Sequence, residues 1–149
     1  MLPDVILIQQ DPQVTAVDLT APGGQVACGS AVTDQDGTRQ AAVYFPQGTQ
    51  ALGLGTTIHV RATEFTVGAN GPQAMPAELP PQVGYTYCVE LSVDEAPGES
   101  VQFDRPVSVY VDNFLGFPVG GKVPVGYYDY ERAAWIPSPD GRVIRVLGT

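Results

Sequence analysis

Apolar and polar residues alternate with period 2 along much of the chain, as expected for strands with one face on a core. Across residues 57–63, Ile58, Val60 and Ala62 share one face, while Thr57, His59, Arg61 and Thr63 share the other. Tyr85, Tyr87, Val89, Leu91 and Val93 line one side of a long predicted strand, opposite Thr86, Cys88, Glu90, Ser92 and Asp94. Val107, Val109 and Val111 alternate with Ser108, Tyr110 and Asp112. A β-rich run, residues 41–45, follows the turn spanned by 33–38, and residues 2–8 also read as a strand. Ile144 and Val146 alternate with Val143, Arg145 and Leu147 in a last strand that is apolar on both sides. No eleven-residue window shows uninterrupted apolar spacing at i, i+3, i+4 and i+7.

Short strands separated by Gly, Pro and Asp turns predict one all-β domain over residues 1–149: an antiparallel β-sandwich ending in a C-terminal β-meander. In the meander, strands at 125–128 and 134–136 are joined by the polar turn 129–133. Pro139-Asp140-Gly141 then turns the chain into a final strand over 142–147. Trp135 is expected to anchor this unit to the core. The Pro-rich connection at 68–81 reads as a crossover between sheets. Residues 1–10 read as a strand linking to a preceding domain, with Met1 an added start and the chain excised from something longer.

Composition narrows the functional classes. Hydrophobic content of 44% fits a globular chain, and 17 Gly and 14 Pro disfavour long helices. A formal net charge of −9 repels phosphate backbones and anionic lipid, so neither nucleic acid nor a membrane surface is expected as a partner. No apolar run approaches the ~20 residues of a membrane-spanning helix. The amino terminus lacks the basic region of a signal peptide, and its apolar stretch is too short for one. Two cysteines, Cys28 and Cys88, are too few for a disulfide framework or a zinc site. A single disulfide and two free thiols both fit their spacing.

Two resemblances follow from particular motifs. Gly23-Gly24, Tyr44-Phe45-Pro46-Gln47-Gly48-Thr49 and Phe103-Asp104-Arg105-Pro106-Val107-Ser108-Val109 resemble elements of the ZU-type β-sandwich of ankyrins, netrin receptors and zonula occludens proteins. Longer stretches are similar to a segment of the non-repeat N-terminal region of large bacterial Rhs/YD-repeat proteins. They include Arg61-Ala-Thr-Glu-Phe-Thr-Val-Gly-Ala-Asn-Gly-Pro72, Val111-Asp-Asn-Phe-Leu-Gly-Phe-Pro-Val-Gly120 and Val125-Gly-Tyr-Tyr-Asp129. This resemblance covers most of the chain. It implies a modular, mostly structural segment of an exported parent, extracellular or at the cell surface, and it carries over no catalytic residues.

The candidate chemistry is sparse. His59 is the single histidine, which excludes multi-histidine metal sites. Some ZU-type domains cleave their own backbone by serine attack assisted by histidine. The nearest counterpart here is Leu91-Ser92 with His59, without the family's His-Phe-Ser or Ser-Phe-Ser motif. Lys122, the only lysine, with Asn113 upstream, raises a Lys–Asn crosslink, but its place after Gly120-Gly121 reads as a solvated turn. Asp34-Gln35-Asp36-Gly37 opens like a calcium loop, yet the twelfth position is Phe45 rather than glutamate, so a β-turn is expected. No nucleophile elbow, phosphate loop or dinucleotide fingerprint occurs, and no cofactor or metal is called for. Tyr127, Tyr128, Tyr130 and Trp135 form the candidate ligand-binding set, a platform for stacking on sugars.

The expected role is therefore a non-enzymatic module packing against neighbouring domains of a parent chain or a partner protein. A carbohydrate- or ligand-binding module is the alternative, and a self-processing domain the third.

Overall fold

The computed structural model describes residues 6–79 and 86–148. The chain is all-β: ten strands and a single 3-10 turn at Pro72–Ala74 among the described residues. The expectation for residues 2–5 and for Tyr85 lies outside this range, and residues 6–8 are not in a strand.

Two three-stranded antiparallel sheets carry the core. The first has the order β1 (Thr15–Asp18), β6 (Thr57–Glu64), β7 (Val89–Val93). The second has the order β2 (Gln25–Cys28), β5 (Ala41–Phe45), β8 (Ser108–Val111). Their buried faces meet in one cluster: Val17 and Leu19, then Ala27, Val43 and Phe45, then Ile58, Val60 and Val93. The period-2 pattern is the cause, since Ile58, Val60 and Ala62 all point inward and are buried. Thr63 departs from its predicted polar face: it is 5% exposed because its hydroxyl accepts the Asp11 amide.

The two sheets are tied together at one side and at one end. Along the β1–β2 side, the Thr15 hydroxyl donates to the Cys28 carbonyl and accepts from the Cys28 amide. At the end, the loops at 46–56 and 94–107 pair through the Ala51–Phe103 bridge, and Phe45 meets Phe103 edge to face at 5.5 Å. These loops, with residues 19–24, are the real crossovers between sheets. The Pro-rich connection is not one, because it joins β6 to its own neighbour β7. A tight turn would serve that pairing. Its described part, residues 68–79, lies beside the C-terminal ribbon at Ala77.

Asp34 to Gly37 is the expected turn, and it closes a small hairpin of β3 (Val32–Asp34) and β4 (Gly37–Arg39). The Asp34 carboxylate accepts from the Asp36 amide, and Gly37 takes φ 122°, a region glycine tolerates without strain.

The C-terminal region differs from the expected meander. β9 (Lys122–Asp129) and β10 (Ala134–Arg142) form one two-stranded ribbon. Pro139-Asp140-Gly141 lies inside β10, where the register shifts between Ser138 and Gly141; it is a bulge and not a hairpin turn. Both strands of a two-stranded ribbon have an open edge, so Pro137 and Pro139 cost no necessary ladder bond. Of the predicted final strand, 142–147, only Arg142 is in a strand, as the end of β10; residues 143–147 are not, and only Val143 among them is buried.

Candidate functional site

The four aromatic candidates lie on the ribbon and form a cluster. Tyr128 packs edge to face against Trp135 at 5.3 Å and against Tyr130 at 5.1 Å, with interplanar angles of 66° and 85°. Cross-strand register explains the first contact, because Trp135 stands opposite Tyr128. Tyr127 and Tyr130 are exposed, whereas Tyr128 and Trp135 are half-buried. Rings set at such angles pack into one another and do not present one flat face. The indole Nε1–H donates to the Ala77 carbonyl at 3.2 Å, so Trp135 anchors the ribbon to the Pro-rich connection and not to the sheet core. Although the Tyr130 side chain is largely exposed, partial desolvation of its phenol, with Glu90 adding to it, raises that group above its ordinary range.

Ser92 and His59 share the outer face of the first sheet. Ser92 stands opposite Arg61, two residues along β6 from His59. The Ser92 hydroxyl is buried without a hydrogen-bond partner. His59 is turned toward Glu95: its Nδ1 lies 2.5 Å from Oε1, and its backbone amide donates to Oε2 at 2.9 Å. Burial raises the Glu95 carboxyl, but the bonds from the His59 ring and amide outweigh it and hold the group below its usual range. Beside this pair, Arg61 grips Asp94 with two bonds of 2.7 and 2.8 Å and donates to the Asp11 carbonyl. The Leu91-Ser92 bond lies within a regular strand. The one non-glycine residue with positive φ among the described residues is Ala133, in the ribbon turn.

Lys122 is exposed, with its ammonium 3.9 Å from Asp140, while the Asn113 side chain both donates to and accepts from the Phe117 backbone. The structure does not bring them together for a crosslink. Cys28 and Cys88 are both free thiols. Burial, aided by Glu90, pushes the Cys88 thiol up to about 11. No cluster of metal-ligating side chains occurs among the described residues.

Two features escaped the sequence reading. Arg39, 1% exposed, bonds Asp34 bidentately at 2.8 Å, reaches Glu64 at 2.7 Å and lies 4.8 Å above the Phe114 ring. No alternation in β4 marks its inward direction, and its partner Glu64 is 25 residues away in sequence. The second is Asp11, whose carboxylate takes the Ser30 amide and hydroxyl, both at 2.6 Å, and the Gln13 amide. Burial raises its pKa, but these bonds outweigh that and lower it. A shallow cleft beside it is lined by Ser30, Thr63, Glu64 and Tyr87 among others. Its two carboxylates are already occupied by protein donors, which makes it a structural seam.

Many apolar side chains of the C-terminal third are exposed. Leu115, Phe117 and Val119 are exposed after β8, and Val125, Tyr127 and Tyr130 on the ribbon. Ile144, Val146 and Leu147 follow, and an open groove lies between Val119 and the segment from Val143 to Leu147. Among the described residues no helix is long and apolar enough to cross a membrane. No family model matches the chain, and no curated protein or solved structure is significantly similar to it.

Proposed function

We propose that this chain is a non-enzymatic structural and interaction module, a ZU-like sandwich within a large secreted or surface protein of the Rhs/YD-repeat kind. The observation that carries the reading is the band of exposed apolar side chains from Leu115 to Val119, along the ribbon and on to Leu147. Exposed apolar side chains gathered in the C-terminal third of a strongly acidic chain mark surface built to be covered. Two antiparallel sheets around one core support the sandwich part of the reading. Neighbouring domains of the parent chain, or a partner protein, are the cover.

The test compares amide exchange in the chain alone with that in the longer polypeptide the proposal requires. Exchange across the ribbon and residues 115–119 and 143–147 is expected to slow in the longer protein. Equal rates in both would sink the reading. A second reading, sugar binding, is favoured by the exposure of Tyr127 and Tyr130 (53% and 70%). Glycan titration followed by tyrosine and Trp135 fluorescence separates it from the first. For self-processing, the third reading, intact mass is decisive: a cleaved or ammonia-depleted chain would establish it, and the full mass would remove it.

A further inference from the structure

β8 is an open edge whose free hydrogen-bonding groups can be assigned residue by residue. The Asp112 amide donates to Gln40, the residue before β5, at 3.3 Å. In an antiparallel ladder the direction of N–H and C=O alternates along the strand, so Ser108 and Tyr110 also turn toward β5. Val109 and Val111 therefore carry their N–H and C=O on the side away from β5. Among the described residues no strand lies there. The side chains match this position. Val109 and Val111 sit opposite Val43 and Ala41, both in the buried layer, yet are 48% and 37% exposed; Tyr110, on the other face, is 44% exposed. The edge has no lysine, bulge or central proline to discourage pairing.

We propose that this edge pairs with β8 of a second copy of the chain, antiparallel about a two-fold axis through Val109. The segment Val107-Ser108-Val109-Tyr110-Val111 is nearly palindromic in apolar pattern, which is what an isologous contact demands. In that register Val109 faces Val109 of the second copy, and Val107 faces its Val111. The outward N–H and C=O groups of Val109 then meet those of Val109 of the second copy, the outward groups of Val111 face Val107 of the second copy, and Ser108 stands beside its Tyr110. The result is one continuous six-stranded sheet, β2-β5-β8-β8-β5-β2. No charge falls within the paired segment; it is flanked by Asp112 and by Arg105, whose charge is already taken up by Asp104. The remaining electrostatic force is repulsion between two bodies of net charge −9, which salt screens. The contact uses β8 and not the band considered above, so failure of either proposal leaves the other standing.

Sedimentation velocity on the full chain, across protein concentration at low and at physiological salt, tests it. A monomer–dimer equilibrium that salt shifts toward dimer is expected. Val109→Lys, which places like charges opposite each other at the two-fold, is expected to weaken the dimer by at least about tenfold while circular dichroism keeps the β signature. Amide exchange on the unmodified chain gives an independent reading. The Val109 and Val111 amides should slow as concentration rises, while Tyr110 and Asp112, bonded to the β5 side, stay slow throughout. A monomer under all conditions overturns the proposal, as does a dimer that salt weakens or that a folded Val109→Lys variant retains. Concentration-independent exchange at Val109 and Val111 overturns it too, whatever the variant does.

Discussion

The guanidinium of Arg39 joins three separated parts of the chain: Asp34 across its own hairpin, Glu64 on β6 and the Phe114 ring beyond β8. Its hydrogen bonds hold the Asp34 carboxyl down to about 2. An unfolded aspartate titrates near 4, so between those values the unfolded chain binds more protons and acid drives unfolding. The stabilisation from this pair is complete above about pH 4 and is lost as pH falls through about 2. Arg39→Met should destabilise the fold by roughly 3 kcal/mol, since it strands the buried Glu64, and Arg39→Lys should not restore it, lacking the planar fork. Denaturant titrations at pH 7 and pH 3 check both, and equal stability of Arg39→Lys and the natural chain would refute the account. Cys88 gives a second residue-scale outcome. A half-buried thiol raised to about 11 holds only a trace of thiolate at neutral pH. Native Cys88 should therefore be alkylated much more slowly than after unfolding in denaturant, as followed by peptide mass mapping; equal rates would contradict its burial.

Among the elements, the β9–β10 ribbon stands apart energetically. None of its residues belongs to the buried cluster between the two sheets. The Trp135–Ala77 bond ties it to the Pro-rich connection, whereas the Val143 amide donating to the Gly121 carbonyl and the Gly120 amide donating to the Val143 carbonyl only extend its own ladder. A two-stranded ribbon is marginal by itself in water, so contacts such as the Trp135 anchor set its stability. Trp135 is the only tryptophan and reports on this element alone. Its fluorescence should change at lower denaturant than the far-ultraviolet dichroism of the sheets, and coincident transitions would show that the ribbon is one cooperative unit with the core. The ribbon is also where alternation and turn chemistry misled. Pro139-Asp140-Gly141 has the composition of a turn, but in a ribbon with both edges open the same residues fit as a bulge within one strand. The preceding turn, Asp129 to Ala133, was legible because the Asp129 carboxylate binds the Glu131 and Arg132 amides, a purely local contact.

For the molecule as a whole, stability rests on the cluster that both sheets share, with Ile58 wholly buried at its centre. Ile58→Ala should cost about 2–5 kcal/mol and lower the Tm by roughly 5–15 °C; a shift of only a degree or two would place the core elsewhere. The sequence alone determined the all-β class, the inward face of β6, the Asp34–Gly37 turn and the acidic surface. Each of these follows from period-2 alternation, local turn chemistry or summed charge, and none needs a distant partner. Only the tertiary structure decided the rest: that the Pro-rich connection rejoins the same sheet, that Arg39 is buried between two carboxylates, and that His59 faces Glu95 while the Ser92 hydroxyl has no partner. It also decided that Tyr128 and Trp135 pack into each other. These are choices of strand partner and register between residues far apart in the chain. Alternation tells which side of a strand is apolar, and packing alone decides what that side meets.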